Sequence, residues 1–199
     1  TTEQEMLLEK QYKGFSRNGA NLNDSDKDKL RTIDAQLSQL SLEFGEHVLA
    51  DGNAFEMHIT NKEELSGVPE SVRDAARLLA KEKEGWVFTL DYPSYIPFMT
   101  YANARELRKK MAIAFGKKGF QENKNNNEQV VLAIVSLRHQ RAQLLGYKTH
   151  AHFVLEERMA ETPEKVISFS NELLKRATHA AKREFNALQQ YAKKLGGID

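Results

Sequence analysis

The sequence contains no cysteine, which excludes a disulfide framework, a cysteine-ligated zinc or iron–sulfur site and a thiol nucleophile. It also has almost no net charge, because 29 Lys and Arg residues balance 28 Asp and Glu residues to a formal +1. Nucleic-acid-binding domains gather a basic excess on one face, so this balance gives no reason to expect a polyanionic partner. No apolar run approaches the roughly 18 residues that cross a bilayer. The polar N-terminus does not resemble a secretory signal.

Most of the remaining pattern has helical period. A first helix is predicted from Glu3 to about Arg17. A second is predicted to begin at Ser25, where Asp28 three residues later forms a variant of the capping box. It should last to Ala50, and 51–53 (Asp-Gly-Asn) is interpreted as its stop. Its apolar positions recur every three or four residues and form one stripe: Leu30, Ile33, Leu37, Leu40, Phe44 and Val48.

Two short segments have strand-like composition. Residues 54–60 alternate apolar and polar side chains, and residues 86–91 are rich in aromatic and β-branched side chains. We expect them to pair antiparallel, with a helix from Pro69 to about Lys83 between them. Two strands alone are marginally stable, so helices must cover one face of the pair. The predicted fold class is mainly α: a helical bundle-like segment with one small two-stranded antiparallel β element and a long C-terminal helix.

Residues 92–97 are predicted not to be regular helix, because each proline pushes the residue before it toward extended geometry. A further helix should follow, with Asn103 as its cap and Glu106 as the capping-box partner. The polar residues 123–127 are interpreted as a connector. The next helix should run from Glu128 to a C-cap at Gly146, followed by a short helix over 150–157.

The last helix has the clearest signals. Thr162 is its predicted cap, Pro163 its first residue and Glu164 an acid favoured by the helix dipole. We expect it to cover about 163–195, before the pair Gly196-Gly197. Its stripe is Val166, Ile167, Phe169, Leu173, Leu174, Ala177, Ala181, Phe185, Leu188, Tyr191, Ala192 and Leu195. At about 50 Å it exceeds the breadth of a domain of this size, so we expect part of it to pack on further protein.

The six histidines are the obvious candidates for chemistry. His47, His58, His139 and His179 have no second ligand at metal-binding spacing and are interpreted as structural or solvated. His150 and His152 are close in sequence, but residues two apart on a helix point in nearly opposite directions. His152 and Glu156 do share a face. An enzyme using His150, His152 and Glu156 is therefore one hypothesis, and it requires these side chains to converge.

Strong catalytic motifs are missing from the 199 residues. The sequence His-Glu-x-x-His would place two histidines and a general base on one helical face, and it does not occur. A Gly-x-Ser-x-Gly elbow and a P-loop do not occur either. No catalytic or metal-binding residue is assigned on these grounds.

An aromatic segment surrounds the two prolines Pro93 and Pro97. Its members are Tyr92, Tyr95, Phe98 and Tyr101. One interpretation is a rigid turn that packs the strand pair onto the next helix, as buried aromatics usually do. The other is that Tyr92, Tyr95 and Tyr101 line a peptide groove, since tyrosine offers both a flat apolar face and a hydroxyl.

Several strings together resemble the M3 zinc oligopeptidases of the thimet oligopeptidase/dipeptidyl carboxypeptidase type, and the bacterial peptidyl-dipeptidases most closely. The strings are LEFGEHVL (42–49), NAF (53–55), ELSGVPE (64–70), TLDYPSYIPFM (89–99), LRHQRAQLLGY (137–147) and MAETPEKV (159–166). Their order and spacing extend over nearly the whole chain.

The resemblance implies a mostly helical, two-lobed protein around a deep channel that admits short peptides. It also implies zinc at the channel floor, held by the histidines of His-Glu-x-x-His and a further Glu, C-terminal to the matched region. The chain would then be one helical segment, 1–199, of the N-terminal channel-wall lobe. No metal or catalytic residue carries over to it, and no zinc is expected in this chain. The start without Met and the overlong last helix are typical of a piece of a larger enzyme.

Two hypotheses follow. In the first, the chain is a non-catalytic piece of a cytoplasmic metallopeptidase that hydrolyses oligopeptides and releases C-terminal dipeptides. Its partners are then the remainder of the parent polypeptide and the parent's peptide substrates, with no nucleic acid or membrane, and the exposed stripe of the last helix favours self-association. In the second, the chain is a stand-alone helical module, related to these peptidases, that binds a protein or peptide.

Overall fold

Helices dominate the backbone, as the periodicity predicts. The computed structural model describes residues 1–196 and has eight α-helices within that range. They are α1 (Thr2–Arg17), α2 (Asp24–Ala54), α3 (Glu70–Ala80), α4 (Tyr92–Tyr101), α5 (Arg105–Gly116), α6 (Glu128–Leu144), α7 (His150–Leu155) and α8 (Pro163–Lys194). A short 3₁₀ helix covers Lys62–Leu65, and the strands are β1 (Met57–Ile59) and β2 (Trp86–Phe88). Gly197, half of the predicted closing glycine pair, lies outside the described residues.

The chain divides into two units. One consists of Thr1–Leu30 and Arg138–Asp199, and the other of Arg31–Leu137. Within the described residues, no helix combines the length and the apolar character needed to cross a membrane.

The predicted strand pair is confirmed. β1 and β2 pair antiparallel, with Met57 opposite Phe88 and Ile59 opposite Trp86. Side chains from the pair, from α3, α4 and α5 and from the segments between them form one buried cluster of the second unit. Its members are Met57, Ile59, Leu65, Val68, Ala76, Phe88, Leu90, Phe98, Ala102 and Met111. Helices thus cover the strand pair, which two strands need for stability.

The prediction that residues 92–97 are not helical is wrong, because they form the first part of α4. Pro93 lies in the first turn, where a missing N–H leaves no hydrogen bond unmade. Pro97 lies inside the helix, where its missing N–H removes one backbone hydrogen bond. The next residue, Phe98, is fully buried, and its ring centroid lies 4.6 Å from that of Phe88. Burial of this side chain stabilises the helix by about 2–3 kcal/mol, which offsets the cost of the proline.

Two predicted helix starts are shifted. Helix α2 is capped by Asn23 and not by Ser25, because the Asn23 carboxamide oxygen accepts the N–H of Asp26 at 2.9 Å. Helix α5 begins at Arg105, since Asn103 has another role. The Asn103 N–H donates to the Ser66 carbonyl at 2.8 Å, and its carboxamide donates to the Ser66 hydroxyl at 3.0 Å.

The interpretation of 51–53 as a helix stop is also wrong, because α2 continues to Ala54. Asp51 is only 5% exposed and accepts hydrogen bonds from the loop after α5. The donors are the Gly119 N–H at 2.8 Å and the side-chain amides of Gln121 (3.1 Å), Asn123 (3.0 Å) and Asn125 (2.8 Å). One carboxylate of α2 therefore binds four donors of this loop, two of which belong to the polar connector.

Opposing effects act on the pKa of the Asp51 carboxyl. Burial would raise it, but the hydrogen bonds from Asn125, Gly119, Asn123 and Gln121 together outweigh burial and hold it below its usual value. The carboxylate is therefore ionised at neutral pH.

A single arginine joins three segments of the first unit. Arg17, in the last turn of α1, donates to the Phe153 carbonyl at 2.6 Å and to the Tyr147 hydroxyl at 3.1 Å, and it pairs with Glu156. Its guanidinium carbon also lies 4.4 Å from the centroid of the Phe153 ring. Cation–π and charge-assisted contacts of this kind position α1 against α7 and the loop before it.

The prediction for the last helix is confirmed. Helix α8 covers Pro163–Lys194, and the Thr162 hydroxyl accepts the Lys165 N–H at 3.2 Å as the N-cap. No residue of this helix is buried in the chain, although its apolar stripe is present as predicted. The large apolar side chains of the stripe are exposed.

We predict that Asp51→Asn lowers the free energy of unfolding by about 2–3 kcal/mol at pH 7, because an amide replaces a charged acceptor and faces other amide donors. The folded-state pKa of Asp51 is lowered, so its stabilisation is present above the unfolded pKa of about 4 and is lost as the pH falls through the folded pKa. The difference between the two proteins should accordingly shrink below about pH 4. Urea denaturation across a pH series measures it.

Glu46→Gln is the matched control, since Glu46 is exposed on the same helix. It should change the free energy of unfolding by less than about 0.5 kcal/mol. Equal effects of the two substitutions would contradict the role assigned to Asp51.

Gly67→Ala should destabilise the protein by at least about 2 kcal/mol. Gly67 has a φ of +86°, and an added Cβ would lie 2.2 Å from the Tyr101 carbonyl oxygen. Gly45→Ala is the contrasting change, because Gly45 lies inside α2 with nothing within 4 Å of an added Cβ. It should raise stability by up to about 1 kcal/mol. Thermal denaturation of both variants measures the two effects. A shift of both melting temperatures in the same direction would contradict these predictions.

Candidate functional site

Four histidines have structural or solvent-exposed positions. The His47 Nδ1 lies 2.8 Å from the Asn127 carboxamide oxygen, and the His58 Nε2 lies 2.6 Å from the Glu84 carbonyl oxygen. His139 and His179 are exposed on α6 and α8. These positions agree with the interpretation made from the sequence.

The hypothesis of an enzyme using His150, His152 and Glu156 is wrong, because the three side chains have different partners. The His152 Nδ1 lies 2.8 Å from the Thr149 hydroxyl, and its Nε2 lies 3.7 Å from the Glu164 carboxylate. Glu156 instead accepts the Tyr147 hydroxyl at 2.6 Å and pairs with Arg17.

His150 lies in a third environment. Its ring centroid is 6.2 Å from that of Phe153, and its Nδ1 is buried without a hydrogen-bond partner. Burial lowers the pKa of His150, and the charges of Arg138 and Arg141 lower it further. At neutral pH this imidazole is therefore uncharged.

The zinc implied by the family resemblance has no matching ligand set in the part of the chain that the structure describes. Residues 1–196 contain no group of three or more His, Asp or Glu side chains that could hold a metal ion. A zinc site needs three or four such ligands within about 2.0–2.3 Å of the ion. The described residues therefore do not fit the metal.

The three candidate tyrosines have different surroundings. The Tyr95 ring stacks on Phe115 of α5, with centroids 4.3 Å apart and planes inclined by 19°. This contact and the contact of Phe98 with Phe88 pack α4 between the strand pair and α5. Such packing was the first of the two interpretations of the aromatic segment. Tyr92 and Tyr101 are 69% and 53% exposed. These two rings are accessible to a ligand, whereas the Tyr95 ring packs against Phe115.

A small cavity lies beside the start of α4. Its volume is about 190 Å³, and its walls come from α3 and from the segment that leads into α4. The lining is mostly apolar, with polar groups at Thr89, Asp91 and Ser94. The Ser94 hydroxyl accepts the Thr89 N–H at 3.0 Å, and the Thr89 hydroxyl donates to Asp91 at 3.0 Å, so this polar rim is already ordered. A cavity of this size and composition suits one apolar side chain of a peptide.

A larger groove lies between the middle of α2 and the start of α6. Its volume is about 410 Å³. The apolar residues that line it include Phe44, Phe120, Val131 and Leu132, and charged groups lie at Lys118 and Glu128. Sequence patterns did not indicate this groove, because Phe120 lies in a loop with no periodicity.

Asp51 and Arg17 are the main polar groups that sequence reasoning missed. Each binds partners far away in the chain, so local spacing carries no signal for either. One indication was available for Asp51. A connector with several asparagines offers many amide donors, and such donors need acceptors when they are buried.

Comparisons with known proteins identify the family. Residues 98–199 match the family model described as "Peptidase family M3". Oligopeptidase A of Salmonella typhimurium is 34% identical over 204 residues, which cover 100% of this chain and 30% of that protein. Oligopeptidase A of Escherichia coli has the same identity and the same coverage. Dipeptidyl carboxypeptidase of Escherichia coli is 26% identical over 194 residues, or 96% of this chain and 28% of that protein.

Two facts follow from these matches. The chain spans about 30% of the length of the Oligopeptidase A proteins that it matches. The family model covers more than half of the chain, and the relatives align with nearly all of it. The chain belongs to peptidase family M3.

Proposed function

We propose that this chain is a wall segment of a zinc oligopeptidase that hydrolyses short peptides. The alignment of the whole chain with Oligopeptidase A at 34% identity is the observation that carries the proposal. Because the match covers 30% of that protein, the remaining polypeptide supplies the zinc, its His-Glu-x-x-His ligands and the general base. The other partners are the parent's oligopeptide substrates.

In this proposal the chain contributes shape and not reaction chemistry. Two of the histidines have polar partners within the chain: the His47 ring lies beside Asn127, and the His152 ring lies beside Thr149. The buried groups of the second unit are mainly apolar, and the buried carboxylate Asp51 is saturated by amide donors. Such a segment can hold helices in place around a channel without taking part in proton transfer.

The exposed tyrosines Tyr92 and Tyr101 are the proposed peptide contacts on this segment. Both lie on α4, whose packing against α3 and α5 fixes the backbone beneath them. Tyrosine side chains bind extended peptides through ring stacking and a hydroxyl hydrogen bond. Tyr95, stacked on Phe115, would support this surface from below.

The finer assignment is the release of C-terminal dipeptides by a cytoplasmic enzyme. A relative with the printed name Dipeptidyl carboxypeptidase supports the release of dipeptides, although its identity is 26% against 34% for Oligopeptidase A. Hydrolysis of short oligopeptides is the part of the proposal with the stronger support.

The second candidate function is a stand-alone module that binds a protein or peptide. The groove lined by Phe44, Phe120, Val131 and Leu132 favours it, because it is apolar, has charged edges and is large enough for several side chains. A structural role in an oligopeptidase requires the rest of the enzyme, whereas binding by a module does not, so one experiment separates the two functions.

The test is an exchange of segments. This chain replaces the aligned segment of Salmonella typhimurium Oligopeptidase A, with which it aligns over its full length. We predict that the purified chimera hydrolyses a fluorogenic oligopeptide, whereas the chain alone has no activity with zinc added. The matched control is Oligopeptidase A from which that segment is deleted, and it should be inactive.

A folded chimera without activity would favour the binding module. Hydrolysis by the isolated chain with stoichiometric zinc would contradict the non-catalytic role. Circular dichroism and zinc content of the chimera distinguish loss of function from loss of folding.

Tyr92→Ala and Tyr101→Ala in the active chimera should each raise KM for oligopeptides by roughly 2- to 10-fold, the effect of losing one aromatic contact of about 0.5–1.5 kcal/mol. Tyr12→Ala is the matched control, because Tyr12 is equally exposed but lies on α1. Steady-state kinetics measures the three variants. Unchanged KM in both α4 variants would remove these tyrosines from the peptide-contacting surface.

A further inference from the structure

The small cavity beside the start of α4 has walls that the second unit holds in place. Ala76 of α3 lines the cavity and is also part of the buried hydrophobic cluster. In the segment that leads into α4, the Ser94 hydroxyl fixes the Thr89 backbone by accepting its N–H at 3.0 Å. The other lining residues with apolar side chains are Val72, Ala75, Leu79 and Pro93. The cavity is therefore formed by ordered groups before a ligand binds.

The size of the cavity fits one long side chain. An apolar cavity of about 150 Å³ in a protein core is large enough to hold a benzene molecule. The volume here is about 190 Å³. It therefore admits an aliphatic side chain as long as that of lysine or arginine.

The charge at the cavity is a single carboxylate. Of the described residues that line the cavity, only Asp91 is charged. Asp91 is the N-cap residue of α4, but its side chain makes no cap hydrogen bond. Its Oδ2 accepts the Thr89 hydroxyl at 3.0 Å, and no described residue forms an ion pair with it. The carboxylate can therefore pair with a cation from outside the chain.

The neighbouring charges leave the rim of the cavity negative. The N-terminus of a helix carries roughly +0.5 of a charge, which is smaller than the formal −1 of Asp91. Arg77 of α3 does not neutralise the carboxylate, because it lies over the Trp86 ring, 5.8 Å from its centroid. The apolar walls alone would suit any apolar side chain, and Asp91 favours one that ends in a cation. Lysine and arginine have this combination, since their methylene groups pack on apolar surface while the charged end stays in a polar environment.

The cavity lies next to a proposed peptide contact. Tyr92 stands in the sequence between two lining residues, Asp91 and Pro93. Its ring is 69% exposed and lies on the side of α5, with its centroid 6.1 Å from that of Phe115. A peptide that contacts this ring would pass beside the cavity.

We propose that the cavity is a binding site for the side chain of a lysine or arginine residue in a peptide. The methylene groups contact Val72, Leu79 and Pro93, and the ammonium or guanidinium group pairs with Asp91. A wholly apolar side chain would remove water from the carboxylate without replacing its hydrogen bonds, so a basic residue binds more tightly. The proposal rests on the proposed function in one respect, namely that the peptide is a substrate of the parent enzyme.

The first experiment titrates the chain with three blocked tripeptides of the form acetyl-Ala-X-Ala-amide and follows the backbone amide signals by NMR. With lysine at X, the peptide should shift the signals of Thr89 and Ser94. With norleucine, which is similar in length but uncharged, Kd should be roughly 2- to 5-fold higher, the effect of one solvent-accessible ion pair. With glutamate, like charges repel, and no binding is expected.

Three variants test the residues. Asp91→Asn keeps the size of the side chain but removes its charge, so it should abolish the preference for lysine over norleucine. Asp74→Asn is the matched control, because Asp74 is exposed on α3 and does not line the cavity, and it should keep the preference. Ala75→Phe should weaken binding of both peptides, since it fills the cavity from an exposed position of α3. Circular dichroism verifies that the variants keep their helices.

The proposal is overturned if the lysine and norleucine peptides have equal Kd, or if Asp91→Asn keeps the preference for lysine. Absence of binding by the lysine peptide at millimolar concentration would overturn it as well. So would shifts that leave Thr89 and Ser94 unchanged, because the peptide would then bind elsewhere.

The second experiment separates this proposal from the proposed function. In an active chimera with Oligopeptidase A, Asp91→Asn should raise KM for lysine-containing oligopeptides by roughly 2- to 5-fold with kcat unchanged. An active chimera in which Asp91→Asn leaves this KM unchanged would contradict the cavity as a substrate site and leave the oligopeptidase role intact. A folded but inactive chimera, together with lysine-selective binding by the chain alone, would contradict the oligopeptidase role and support the binding site.

Discussion

The contact between Phe88 and Phe98 is the constraint on which the second unit depends. Both rings are fully buried, with centroids 4.6 Å apart, and they join β2 to α4. A two-stranded sheet of three residues per strand cannot stand alone in water, so it exists because helices seal its apolar side. The same contact explains why α4 tolerates a proline in its interior. Tertiary burial overrides a local backbone preference here, and the exposed face of α4 keeps a fixed backbone as a result.

The elements predictable from sequence are those whose determinants are local. Helix α8 carries its own start signals in Thr162 and Pro163, and it was predicted to within a residue at its end. The strand pair was predicted from composition and alternation, although it is shorter than expected. The end of α2 was missed because Asp51 is held by donors 68–74 positions away, which no local pattern encodes. Asp-Gly-Asn favours a stop in isolation, whereas a buried carboxylate with four donors stabilises the longer helix.

The candidate site shows the same division. Residue spacing was enough to interpret His47 and His58 as structural, and they do have structural partners. Spacing also predicted that His150 and His152 point in different directions, and they have different partners. It could not show that Glu156 forms an ion pair with Arg17. The aromatic segment held two roles at once: Tyr95 and Phe98 pack, while Tyr92 and Tyr101 remain exposed. Sequence composition cannot separate these roles, because the distinction arises from which face of α4 meets α5.

Membership of peptidase family M3 and the 30% coverage of Oligopeptidase A are the basis for our proposal that the chain is a non-catalytic wall segment of a larger oligopeptidase. The most direct measurement is the sequence of the natural transcript downstream of the codon for Asp199. We predict an open reading frame that continues into a His-Glu-x-x-His motif, in a polypeptide about three times the length of this chain, as the 30% coverage of Oligopeptidase A indicates. A stop codon directly after Asp199 would contradict the account and would favour an independent binding module.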